Sequence, residues 1–358
     1  MNNGQNYNNE YNNEYEPIDL WGDSMVSFDA GKEKKIFSRI GFGLALFSLV
    51  SLAASLIIQV VAMLVSPSFA QTSLFLNILS PVSLYLFALP VLMLVIGGLD
   101  AKTPEKRRMG FGQWLIILII SFGLMYIGSY LGNYVMAVAS EVVGYDYSNM
   151  LESVIDDNNL LVTAIFTVVI APIGEEFVFR KLIIDRTQKY GCFISVMLSG
   201  LAFGLMHANF YQFFYAFALG LVLGYVYYNT GKLYLTIALH ATINFMGSIV
   251  SSWLMQGTEA MAEALEKMDG TDPQAGVNFI VEHGGALVGM ILYMILVFGS
   301  MICAVVLPIA LRKRIAIGKG EVEIPRGRRF ETVVVNAGII VMLVVYVLEF
   351  ALNMLPLN

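Results

Sequence analysis

The feature that most constrains this chain is the series of long stretches free of Asp, Glu, Lys and Arg that follows Arg39. About 20 consecutive apolar residues can cross the ~30 Å hydrocarbon layer as a helix. Backbone N–H and C=O groups left unpaired in hydrocarbon are too costly to keep, so such stretches become helices rather than irregular chain. Only 13% of the residues are charged and 57% are hydrophobic, against roughly 25% charged in an ordinary soluble domain. This excludes a soluble globular enzyme. The expected fold is an all-α, polytopic membrane helix bundle with about 8–9 transmembrane helices. A net charge of −6, with no basic run interleaved with aromatics, argues against nucleic-acid binding. The only two cysteines, Cys192 and Cys303, offer neither a disulfide framework nor a CxxC metal knuckle.

Two segments follow from composition. Residues 1–35 read as a disordered Asn/Tyr/Glu-rich cytoplasmic tail, with Asn-Asn-Glu-Tyr at 8–11 and again at 12–15 and no apolar core of a signal peptide. Residues 36–358 read as the membrane domain. Nine spans are expected at about 40–65, 73–99, 114–138, 160–182, 192–208, 213–229, 233–254, 285–310 and 332–354. The fifth and sixth come from one stretch too long for a single crossing, folded at a tight turn near 209–212. Both are short, so the count can differ by one, and a re-entrant segment fits as well. With the N-terminus inside, 20 of the 21 Lys and Arg residues fall on one face, and only Lys267 lies in the outer loop expected at about 256–284. The positive-inside rule therefore places the chain in the cell membrane with a cytoplasmic N-terminus and an external C-terminus.

An ionisable group inside the bilayer is costly, and each one is a functional candidate. The spans contain Glu175, Glu176 and Arg180 on the fourth, His207 on the fifth, His240 on the seventh and Glu349 on the ninth. Glu349, near its helix end, is expected to snorkel to the outer interface. Glu176 and Arg180 are i, i+4 and share a face, where they can neutralise each other. Glu175 is rotated about 100° from them. Without that partner it can remain a free carboxylate poised as a general base. Phe203 lies one turn before His207, and His240 with Asn244 presents two polar side chains side by side. Each pair alone fits a structural staple or interhelical glue, but together they read EExxxR, FxxxH and HxxxN in three separate spans.

At these residues the sequence resembles the CPBP family of CAAX-protease and bacteriocin-processing (Abi) membrane peptidases, over about 160–254. The resemblance implies a catalytic set of Glu175, Glu176, Arg180, His207, His240 and Asn244. Glu175 would activate water, with His207 and His240 around that water, Asn244 completing the site, and Glu176 and Arg180 as the supporting pair. It implies a peptide or membrane-protein substrate, and links bacterial members to bacteriocin maturation or self-immunity. Some relatives act as regulators, so a noncatalytic scaffold with a membrane regulatory partner is the alternative. A transporter with helices broken at Gly97, Gly98, Pro172 and Gly174 is the third reading. Two chemistries stay open. In one, Glu175 alone activates water; in the other, a divalent metal such as zinc is held among Glu175, His207 and His240, although Asn244 stands where a zincin helix would carry its second histidine. Counting from the span ends puts Glu175 and His240 roughly 10 Å from the inner face. The site is therefore expected to open to the cytoplasmic side, with His207 as the misfit, nearer the outer face.

Overall fold

The computed structural model describes residues 28–147, 160–266 and 273–355. Most of the expected tail (1–27), and Lys267, Asp269 and Asp272 of the expected outer loop, lie outside the described residues. The described chain is helical throughout its ordered elements, with no strand. We number the long helices α1 (Ala30–Val65), α2 (Ser73–Ile96), α3 (Phe111–Val143), α4 (Leu161–Tyr190), α5 (Cys192–Met206), α6 (Phe210–Thr230), α7 (Leu233–Glu266), α8 (Gly276–Ala310) and α9 (Ala337–Asn353). Their outer faces carry large apolar side chains open to the surroundings, such as Leu94 at 80% exposure. In a protein this poor in charge, that surface belongs against lipid.

The nine expected positions all carry helices, but not nine crossings. Among the described residues, seven helices are long and apolar enough to span, and an eighth is reached if Arg326–Val333 and Ala337–Asn353, bent by 60°, form one span. The exception is α5, whose 15 residues extend about 22 Å, short of the hydrocarbon thickness. Several boundaries also move. Helix α4 runs on to Tyr190 instead of ending near 182, because its last turns leave the apolar layer and satisfy their charges locally. Arg186 donates to the carbonyls of Ile96 and Leu182, each at 3.0 Å. Much of the expected 256–284 loop is helix, since α7 continues to Glu266 and α8 begins by Gly276. The two continue to pack beyond the apolar layer, with Gly257 facing Ala286. At the other end of the chain, α1 starts at Ala30, ten residues before the expected span. Asp29 caps it by accepting from the N–H groups of Gly31 and Lys32 at 2.9 and 3.1 Å.

Glycines set how closely the helices approach. On α3, Gly128 and Gly132 form a GxxxG pair against α6. A Cβ at Gly128 would stand 2.5 Å from Tyr215 Cα, and one at Gly132 would stand 2.4 Å from the Phe210 carbonyl oxygen. Backbone-to-backbone contact of this kind is the membrane substitute for hydrophobic packing. Gly128→Ala is therefore expected to push α3 off α6 and cost about 1–3 kcal/mol, the usual range for overpacking. Thermal unfolding in detergent measures it, and an unchanged midpoint would show that the two helices are not held by this contact.

Glu349 is half-buried near the end of α9. Ser48 on α1 donates to its carboxylate at 2.5 Å, so the carboxylate bridges α9 to α1. Ser48 thereby satisfies one oxygen of a partly desolvated carboxylate.

Candidate active site

The site begins with a hairpin. Helices α4 and α5 run antiparallel about the turn at Gly191, which has φ +92°, and Glu175 and His207 lie equally far from that glycine in sequence. Antiparallel packing brings both to one level, about 24 Å from the turn at helical rise. This resolves the misfit of His207: the longer α4 raises Glu175 to the histidine. Helix α5 ends as His207 is reached, and Ala208 turns the chain with φ +51°. That conformation is uncommon for a residue with a Cβ. Asn209 then caps α6 by accepting from the Gln212 N–H at 2.9 Å.

Local loosening shapes α4 around the acidic pair. Wide π-type turns occupy Ala164–Ile170 and Phe177–Ile184, on either side of the segment with Pro172 and Gly174. Proline lacks the N–H that a regular helix would use, and π turns recur at functional sites. Asn244 on α7 donates from Nδ2 to the Thr167 carbonyl in the first of these stretches, at 2.8 Å. Its amide retains a second N–H. Gly174 leaves room for a residue that the sequence motifs did not single out. A Cβ there would lie 2.1 Å from Tyr85 Cζ, and the Tyr85 hydroxyl sits 3.4 Å from the Ala171 carbonyl oxygen.

The two glutamates take different surroundings. Glu176 is fully buried, and its Oε2 pairs with Arg180 Nε at 3.1 Å. Its Oε1 meets His240 Nδ1 at 3.1 Å. Glu175 retains some exposure, 12%, and its Oε2 lies 3.6 Å from His240 Nε2. An ionised Glu176 can only accept, so it fixes the proton of His240 on Nδ1 and leaves Nε2 toward Glu175. Arg180 is held from its other side by Phe203, whose ring centre is 4.7 Å from the guanidinium carbon, a cation–π contact. The same ring meets His207 and His240 edge to face at 5.4 and 5.6 Å. Phe203 thus packs against both histidines and the arginine.

A cavity of about 350 Å³ opens onto Glu175, His207, His240 and Asn244. Glu176 and Arg180 lie behind its wall. Its further lining includes Asn77, Ser80, Ser129 and Gln212 from α2, α3 and α6. These, like Tyr85 and Tyr215, carry no spacing relative to the glutamates and histidines that could have marked them, because they come from other helices, α2, α3 and α6. On α2, α4 and α5 the lining residues lie in the halves away from the basic loops, whereas on α7 His240 to Ser248 follow closely on Lys232 and on α3 Met125 and Tyr126 sit near mid-helix. The expected donors fail to converge on a metal. Among the described residues, no group of three or more His, Cys, Asp or Glu is disposed to hold one ion, and Nδ1 of His240 already faces Glu176.

Residues 157–246 match the family model described as type II CAAX prenyl endopeptidase Rce1-like. No curated protein and no solved structure matches the chain. The matched segment contains Glu175, Glu176, Arg180, His207, His240 and Asn244, and it agrees with the resemblance read from their spacing. The segment that builds this site thus matches a CAAX-protease family model, within a chain whose described residues form a polytopic helical membrane bundle.

Proposed function

We propose that the chain is an intramembrane endopeptidase in which Glu175 activates water to hydrolyse a peptide bond in a peptide or membrane-associated protein. The observation that carries this reading is the unequal treatment of two adjacent glutamates. Glu176 is bound by Arg180 and His240, while Glu175 faces the cavity. A purely structural pair has no need of a second carboxylate turned into a polar cavity within the membrane.

Hydrolysis requires a base for the water, donors for the tetrahedral oxygen and a proton for the leaving amine. Glu175 takes the proton from water as the oxygen attacks the carbonyl carbon. The C=O bond opens to an oxyanion, and Glu175 returns the proton to the amine nitrogen as the C–N bond breaks. Asn244 offers its remaining N–H to the oxyanion, and His240, with its proton held on Nδ1 by Glu176, turns Nε2 toward Glu175. His207 borders the same water. The cytoplasmic N-terminus is proposed on the distribution of Lys and Arg.

No step is routed through a metal. Exhaustive chelation in detergent is expected to leave cleavage intact, with no stoichiometric metal by elemental analysis. Activity lost to the chelator and restored by added zinc would overturn this route.

A further inference from the structure

Hydrolysis as described above leaves the tetrahedral oxygen with a single donor, the Asn244 amide. Three phenols stand near the reacting centre, and their hydroxyls are treated differently. Tyr126 lines the cavity, but its hydroxyl is engaged, 2.8 Å from that of Tyr293, which in turn donates to the Met246 carbonyl at 2.7 Å. Tyr85 lies behind the cavity wall, with the Ala171 carbonyl oxygen 3.4 Å from its hydroxyl. Tyr215 lines the cavity together with Glu175, His207 and Asn244, and its hydroxyl has no hydrogen-bond partner among the described residues. A tyrosine hydroxyl in so apolar a setting ordinarily finds a partner, and one left without it points to a group that arrives from outside the fold.

Packing fixes where that hydroxyl can reach. The backbone of Tyr215 on α6 is pressed against α3, since a Cβ at Gly128 would stand 2.5 Å from both its N and its Cα. Its ring lies 6.3 Å from that of His207, centre to centre. The phenol is also within electrostatic reach of Glu175. Helices α4, α6 and α7 thus present to one space an acceptor for the proton of water and two donors, the Tyr215 hydroxyl and the Asn244 amide.

We infer that Tyr215 is a further catalytic residue, whose hydroxyl donates to the oxyanion beside Asn244; this rests on the peptidase reading above. A phenol, with an ordinary pKa of about 10, keeps its proton at neutral pH. It therefore donates a hydrogen bond and neither makes nor breaks a bond to carbon. As water attacks, the carbonyl oxygen gains negative charge, and the O–H···O⁻ contact becomes charge-assisted and stronger. It favours the transition state over the bound substrate, so its loss falls on kcat.

The test uses the full chain in detergent and a quenched-fluorescent peptide spanning the bond whose cleavage depends on Glu175. Tyr215→Phe removes the hydroxyl and keeps the ring against His207 and Gly128. It is expected to lower kcat about 10²-fold, as loss of one oxyanion donor does, with KM within about threefold of the parent. A parental kcat overturns the inference. A raised KM at unchanged kcat overturns it too, because the hydroxyl then holds only the ground state. The unfolding midpoint is measured alongside, and if it falls, kcat is taken per folded molecule below both transitions and judged by the same criterion. Cleavage by Glu175→Gln at the parental rate would remove the peptidase reading and this inference with it. Glu175-dependent cleavage that survives Tyr215→Phe intact removes this inference alone.

Discussion

Glu175→Gln is expected to lower peptide-bond cleavage by about 10²–10⁴-fold, the range that a positioned general base supplies. Glutamine keeps the volume and the polar contact with His240 but cannot take a proton from water. Because Glu175 is paired with neither Arg180 nor a backbone donor in the bundle, the unfolding midpoint should stay close to that of the parent chain. Comparing peptides from cells carrying the two proteins should reveal a terminus that appears only with the glutamate. If Glu175→Gln retains full function in cells, the cavity serves binding or regulation, and a noncatalytic membrane protein of the same fold becomes the better reading.

The largest stability effect is expected at the neighbouring pair. Arg180→Met leaves Glu176 buried without its cation, and breaking a buried ion pair from one side costs about 3–5 kcal/mol. Glu176→Gln/Arg180→Met removes both charges, and glutamine still offers His240 an acceptor. The double variant should recover most of the lost stability, because replacing both buried charges removes the desolvation cost as well as the attraction. Unfolding followed in detergent distinguishes these outcomes. If the double variant is no more stable than Arg180→Met, the damage comes from losing the arginine's packing on Phe203 and not from an uncompensated carboxylate. Activity should remain low in the double variant, since glutamine can donate as well as accept and no longer fixes the proton of His240 on Nδ1.

Much of the site was legible because its chemistry is local. Glu175, Glu176 and Arg180 share one helix, so helical geometry alone separates the paired carboxylate from the free one. The structure places Glu176 on Arg180 and Glu175 on the cavity. His240 and Asn244 likewise share one helix, although they turn to different partners, Glu176 and the Thr167 carbonyl. Glu349 was less legible. Its partner Ser48 lies at the other end of the chain, and nothing near Glu349 in sequence announces that hydroxyl. Tyr85 was hidden for the same reason, since it meets Gly174 only after α2 packs on α4.

The sequence by itself determined that this chain is a helical membrane bundle, where its helices lie, and which few ionisable groups the bilayer would enclose. Those properties follow from the absence of water and the 3.6-residue period, both of which act within one helix. Only the tertiary structure decided how far α4 extends, that α5 stops short, and which side chains of α2, α3 and α6 complete the cavity. Each depends on close approaches between helices distant in sequence, such as Gly128 against Tyr215 and Gly174 against Tyr85. Hydropathy carries no record of those approaches, because it counts what a residue is and not which backbone it must let pass.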